Sequence, residues 1–241
     1  AKILDELVRN AHSICTATLV DRSTFDANTE EYHYTVKEQH YGADLPDDIH
    51  VIDGANDRLI DGEDYYLILK RSDNALYPFP LYDSKNDVLI TQLTPEHLSF
   101  FRDEPVSPDE FSVPEHIKTQ IEASQVQLDP TPGGVVPVSY AEDVGTVLEE
   151  ADRIWEAKIL EEKPLNPYVS EYKIQPQGVL KGSGNFLTQM LLPKGLEIDK
   201  TYLIPERALS AESSSYMPFA IHYPVIDTES EDGQFTRSMF D

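Results

Sequence analysis

The stretch IWEAKIL, residues 154–160, answers ICTATLV, residues 14–20, at a distance of 140 positions. In the first copy Cys15, Ala17 and Leu19 alternate with Thr16 and Thr18. In the second, Trp155, Ala157 and Ile159 alternate with Glu156 and Lys158. Strict alternation is the period of a strand with one buried face. The two stretches therefore predict half-buried strands whose inward positions correspond. The match extends without a gap from 7–42 onto 147–182. Ala11, Ile14, Ala17, Glu31, Tyr32 and Gly42 fall on Ala151, Ile154, Ala157, Glu171, Tyr172 and Gly182, six identities in 36 positions. Internal duplication accounts for this pattern.

A second strand follows in each copy, with Tyr32, Tyr34 and Val36 against Tyr172, Ile174 and Pro176. Proline cannot donate to a ladder, so Pro176 predicts an edge or a bulge. Both second strands end on glycine, in EQHYG (38–42) and GVLKG (178–182). Gly42 and Gly182 are read as structural, supplying a positive φ or a close approach. Further on, DGEDYYLIL (61–69) answers DKTYLIP (199–205). Deleting four residues between strands sets Tyr66, Leu67 and Ile68 on Tyr202, Leu203 and Ile204. The offset of 140 then returns at Pro78 and Phe79, which fall on Pro218 and Phe219.

A helical stripe precedes each copy: Ile3, Leu4, Leu7, Val8 and Ala11, then Val144, Val147, Leu148 and Ala151. Between the copies, Thr94-Pro95 and Ser112-Val113-Pro114 carry helix-start signals. Short helices are expected at about 95–102 and 114–123, and 128–137 reads as extended linker from its Pro and Gly content.

A lead helix, a strand, a second strand ending in VLKG, a strand pair and an aromatic-proline strand together resemble the netrin/TIMP-like family of OB-fold barrels. The form resembled is the cysteine-free one of bacterial exported proteins. The matching positions are Gly42, Ile60, Gly62, Tyr66, Leu67 and Ile68 in the first copy. In the second they are Val179, Leu180, Lys181, Gly182, Leu196, Tyr202, Leu203 and Ile204. The resemblance spans roughly 1–92 and 139–227. Inhibitory members of that family chelate a protease's zinc through an N-terminal cysteine. Ala1 stands at that end here, so inhibition by that route is not expected. His40-Tyr41 replaces the Leu-Lys of the motif, which makes the first copy the more divergent.

The bulk composition narrows the partners. A net charge of −25, from 44 acidic and 19 basic residues, repels phosphate backbones and anionic head groups. Nucleic acid is therefore not an expected partner, although OB barrels often bind it through basic grooves. A solvated acidic surface accounts for the charge, with a cationic partner or divalent cations as the alternative. No apolar run is long enough to span a bilayer as a helix. Cys15 is the only cysteine, so no internal disulfide or cysteine zinc cluster is expected. A lone cysteine fits the cytoplasm and also fits cysteine-poor exported proteins. The family resemblance favours the latter, secreted or in the cell envelope, with a leader removed.

The search for chemistry leaves no assigned catalytic, cofactor-binding or metal residue. His12, His33, His40, His50, His97, His116 and His222 show no HExxH, no HxH and no i, i+4 pair. They read as scattered surface residues, with His33 projecting opposite the inward Tyr32 and Tyr34. Cys15 lies on the inward face and reads as a small buried hydrophobe. The stretch DGANDRLIDGED (53–64) offers Asp53, Asn56, Asp57, Asp61, Glu63 and Asp64 for a divalent cation but misses the EF-hand spacing; turns explain it better.

The expected architecture is mainly β with short helices: two tandem OB-like Greek-key barrels, each with a lead helix, joined by a partly helical linker. The expected boundaries are 1–93, 94–137 and 138–241. The expected function is a non-enzymatic, monomeric binding or interaction module for a protein, peptide or saccharide. A hydrolase or carbohydrate-active enzyme with a carboxylate and tyrosine site between the barrels, or a structural surface protein, are the alternatives.

Overall fold

The computed structural model describes residues 11–55, 59–84 and 138–241. The first lead helix, the linker helices and the extended linker of the sequence reading lie outside them. The chain is mainly β, and its described residues fall into two compact units. One holds residues 11–72 and 81–84, the other 73–80 and 138–241.

In the first unit, β1 (Ser13–Thr24), β2 (Thr29–Gly42), β3 (Asp48–Gly54), β4 (Asp64–Arg71) and β5 (Leu81–Asp83) form a closed barrel. The order is β1-β2-β3-β5-β4, with β4 returning to β1 and β5 running parallel to β3. The alternating residues point inward as the sequence requires. Cys15, Ala17, Leu19, Tyr32, Tyr34, Ile49, Val51, Tyr65, Leu67 and Tyr82 share one core.

In the second unit, the lead helix α1 (Val144–Glu150) buries Val144, Val147 and Leu148 and is N-capped by Asp143, whose side chain accepts from Thr146 N. The strands are β6 (Arg153–Pro164), β7 (Val169–Lys181), β8 (Gln189–Pro193), β9 (Thr201–Ala208), β10 (Tyr216–Pro218) and β11 (Ile226–Asp227). They form a sheet of order β10-β9-β6-β7-β8, with β11 on β9. A C-terminal helix, α2 (Glu231–Phe240), follows. It has no place among the sequence expectations, although Ser230 as N-cap before Glu231 and Asp232 is a start signal.

The strand registers repeat closely. The β1–β2 ladder shifts at Ile14/Cys15, Thr16/Ala17 and Leu19/Asp21; the β6–β7 ladder shifts at Ile154/Trp155, Glu156/Ala157 and Ile159/Glu161. Each shift lies 140 residues from its counterpart. Pro176 sits beside the second of these, where a missing donor costs the ladder nothing. The β1–β2 and β6–β7 turns also match: Asp26 accepts from Asn28 N and Thr29 N, and Asn166 accepts from Tyr168 N and Val169 N. Gly42 and Gly182 both have positive φ, 97° and 77°. A Cβ at either would meet the backbone preceding the first strand, at 2.3 Å from His12 O and 2.6 Å from Asp152 O. Lys181 in the VLKG turn donates to Leu148 O and Glu149 O, binding the carbonyls at the end of α1.

Two expectations need correction. The fourth strands correspond at an offset of 137: Tyr65 faces Ala17 in β1, and Tyr202 faces Ala157 in β6. Tyr202 therefore matches Tyr65, not Tyr66, and three residues rather than four are deleted. The hydroxyls agree, since Tyr65 accepts from Ile60 N and Tyr202 from Glu197 N. A slip of one residue exchanges the two faces of a strand, so the difference is not small. Closure is the second. Among the described residues, no ladder joins β8 to β10 as β5 joins β3 to β4. β10 takes the place of β5 against β9, with Tyr216 facing Ala208 as Tyr82 faces Arg71, and Leu209 N bonding Ser215 O as Ser72 N bonds Leu81 O, but it has no ladder to β8 among the described residues.

Candidate functional site

The outer face of β7 and β8 carries an open groove of about 450 Å³, lined by Leu160, Lys173, Ile174, Gln175, Pro176, Thr188 and Gln189. Its position follows from local structure. The bulge at Ile159/Glu161 leaves Leu160 without a ladder partner and exposed. On β7, Tyr172 and Ile174 point into the core, which turns Lys173 and Gln175 outward. The β7–β8 pairing ends at Lys173↔Gln189, where Ile174 N bonds Thr188 O, and Pro176 lies beyond that end.

The charged groups beside the groove are paired. Lys173 Nζ lies 3.0 Å from Glu161, and Gln189 Nε2 donates to Glu171. The groove thus presents amides, a hydroxyl and an ammonium between the apolar walls of Leu160 and Pro176. Such a lining recognises a ligand by hydrogen bonds and apolar contact.

The same face of the first unit carries different chemistry in matching positions. His33 and His50 pair across β2 and β3 with their rings stacked, 5.1 Å between centroids and 11° between planes. They occupy the places of Lys173 and Gln189. His33 Nε2 is 3.1 Å from Asp48 and its Nδ1 is 3.7 Å from Asp21; His50 Nδ1 bonds Glu31. Hydrogen bonds from Thr35 and His33 hold the Asp48 carboxyl below its ordinary range. His33 faces away from the core, as its alternation with Tyr32 and Tyr34 requires, but it is half-buried against His50 rather than bathed in solvent. The pairing was hidden because it depends on hairpin register, which the sequence leaves open here.

His40 belongs to another group, with Nε2 2.8 Å from Thr16 Oγ1 and its ring stacked on Tyr66 at 4.9 Å. His12 is buried and His222 exposed; His97 and His116 lie outside the described residues. Cys15 is fully buried, and desolvation pushes its thiol up to about 12. In the acidic stretch, Asp53 accepts from Gly54 N, Asp61 pairs with Arg22, and Asp64 accepts from Lys37 and Thr18. Asn56 and Asp57 lie outside the described residues. Among them, no group of three or more His, Cys, Asp or Glu side chains can hold a metal ion.

A buried polar network in the second unit escaped sequence reasoning altogether. Arg153 and Glu206 are 2% and 1% exposed and lie in the positions of Ser13 and Leu69. Glu206 Oε1 accepts from Arg153 Nε at 2.8 Å and from Trp155 Nε1 at 2.6 Å. The guanidinium sits over Tyr216 at 4.0 Å and over Phe186 at 4.6 Å, and donates to Asn185 O. Burial pushes the Glu206 carboxyl up, and the two donors oppose the shift. Enclosed and mutually satisfied, these groups hold the sheet rather than meet a ligand. The one available signal was a pair of charged residues at otherwise inward positions.

No helix among the described residues is long and apolar enough to cross a membrane. Compared with protein families and curated proteins, the chain matches no family model and no curated protein.

Proposed function

We propose that this chain is a non-enzymatic binding module of an exported bacterial protein, built from two OB-like units of the netrin/TIMP-like kind. The closed five-stranded barrel of the first unit supports the OB-like reading. The register shifts repeated at a spacing of 140 support descent of both units from one duplicated domain. Ligands of OB barrels lie on the face of strands two and three. The groove of the second unit occupies that face on β7 and β8, and this observation carries the proposal. Its neutral amides suit a saccharide or a peptide.

A thermal-shift screen across neutral oligosaccharides, extended peptides and divalent cations tests the reading, with amide-shift mapping of any hit. Shifts centred on Leu160, Gln175, Thr188 and Gln189, weakened by Gln175→Ala, are expected. A hit that maps elsewhere, or a panel in which no class binds, refutes it.

A further inference from the structure

The groove sits at one end of a sheet edge, and the edge itself carries the stronger recognition signal. In an antiparallel pair, alternate residues turn their N–H and C=O groups to the partner strand, and the rest turn them away. Thr188 O accepts from Ile174 N, and Lys194 N donates to Tyr168 O, so the even-numbered residues of this strand serve β7. Gln189 and Leu191 therefore direct their backbone groups away from β7, while Pro193 has no N–H and its carbonyl accepts from the Tyr172 hydroxyl. Among the described residues no ladder runs along that edge.

The first unit shows what such an edge holds. Val51 pairs with Tyr32 as Met190 pairs with Tyr172, so His50 matches Gln189 and Ile52 matches Leu191. Leu81 and Asp83 of β5 lie in parallel against His50 and Ile52. The edge filled by β5 in one unit carries no strand among the described residues of the other.

Protein sheets usually blunt their edges by brevity, charge or proline. β10, at the far side of the same sheet, is three residues long and ends in Pro218. β8 is QMLLP, with no charge on it, and its proline comes only at the end. Leu191 is 38% exposed and Leu187, just before the strand, 53%. An uncharged, apolar, open edge is a template for another strand.

We propose that β8 receives an extended polypeptide segment of a partner protein, added in parallel to Gln189–Leu191 as β5 is added to β3. The proposal rests on the binding-module reading and names the class of ligand. The partner segment alternates apolar with basic residues. Glu171 lies directly across from Leu191 on the outer face, Glu161 pairs with Lys173 nearby, and the chain as a whole carries −25. Such a field draws in a cation and repels a second copy of the same chain. The groove opens at the Gln189 end, where a parallel strand would begin.

The test uses the full chain and a short, capped peptide of alternating lysine and valine, followed by amide shifts and hydrogen exchange. The Gln189 and Leu191 amides are expected to shift and gain protection, with little gain at Met190 and Leu192, which already serve β7. Leu191→Pro removes an outward donor that β7 does not use and is expected to weaken binding by about tenfold or more. Leu191→Lys, which keeps the backbone donor but adds a repelling charge, should weaken it too and serves if the proline variant unfolds. Equal binding by both Leu191 variants, protection away from β8, or no shift at millimolar peptide overturns the proposal. So does self-association that Leu191→Lys abolishes, which would make a second copy the occupant. A neutral oligosaccharide that binds the groove while the peptide does not would overturn edge docking and leave the binding-module reading standing.

Discussion

Trp155→Ala offers the sharpest test of how the second unit is held together. Trp155 is 1% exposed and packs with Ala157, Ile159, Tyr172, Ile174, Tyr202 and Ile204. Phe186 lies 4.9 Å from its ring, and Nε1 donates to the buried Glu206 at 2.6 Å. Truncating a core tryptophan to alanine costs about 3–5 kcal/mol. Depriving a buried carboxylate of one donor costs about 1–3 kcal/mol more, reduced here because Arg153 remains bonded. About 4–6 kcal/mol is expected, a large part of the roughly 5–15 kcal/mol that stabilises a domain. Trp155→Phe narrows the comparison: it keeps much of the aromatic packing while losing the donor and part of the ring, for about 1–3 kcal/mol. Urea unfolding measures both variants. Since Trp155 is the only tryptophan, its emission in the wild type and far-ultraviolet dichroism in all three proteins give the reference curve. A cost below about 1 kcal/mol for the alanine variant would refute the packing argument, because no buried aromatic of this size is that dispensable.

Gly182→Ala forces a Cβ to within 2.6 Å of both Asp152 O and the Arg153 side chain at a φ of 77°. A loss of at least about 2 kcal/mol in denaturant is expected, and a neutral substitution would contradict the close approach. Cys15, with its thiol pushed up to about 12 by burial, should resist a thiol reagent at pH 8 in the folded protein and react only on unfolding. Prompt native-state labelling would show the core to be open. Hydrogen bonds from Lys37 and Thr18 hold Asp64 below the ordinary carboxylate value. Between the folded and unfolded values the unfolded chain binds more protons. The stabilisation is thus complete above the unfolded value and lost as pH falls through the folded one. Lys37→Met should raise the Asp64 midpoint, followed by carboxyl NMR, and flatten the acid limb of stability; an unmoved midpoint would contradict the pairing.

The two units show how matched backbones accept different interiors. Cys15 shares its core with Tyr82 of β5, whereas Trp155 fills the matching position in the second unit, packed against Phe186. Ser13 and Leu69 become Arg153 and Glu206, a change that has to occur as a pair because either charge alone would be buried without its partner. On the outer face the stacked histidines of one unit become the lysine and glutamine of the other.

The sequence alone determined what depends on neighbours along the chain. Alternation in ICTATLV and IWEAKIL set the inward faces, Pro176 marked a bulge, Gly42 and Gly182 marked a shared junction, and the stripe at Val144–Ala151 gave α1. Each follows from side-chain period or backbone stereochemistry, both local properties. Tertiary structure decided what depends on partners distant in sequence. Residues 65–69 are buried on both faces, so β4 has no alternation to fix its register, and the adjacent Tyr65 and Tyr66 fit either alignment. Only pairing with β1 selects Tyr65. The stacking of His33 on His50, the burial of Arg153 on Glu206, and the parallel addition of β5 likewise arise from cross-strand register. So does the edge of β8, left without a ladder among the described residues, because whether a strand's outer backbone groups are satisfied depends on which other segment reaches them in space.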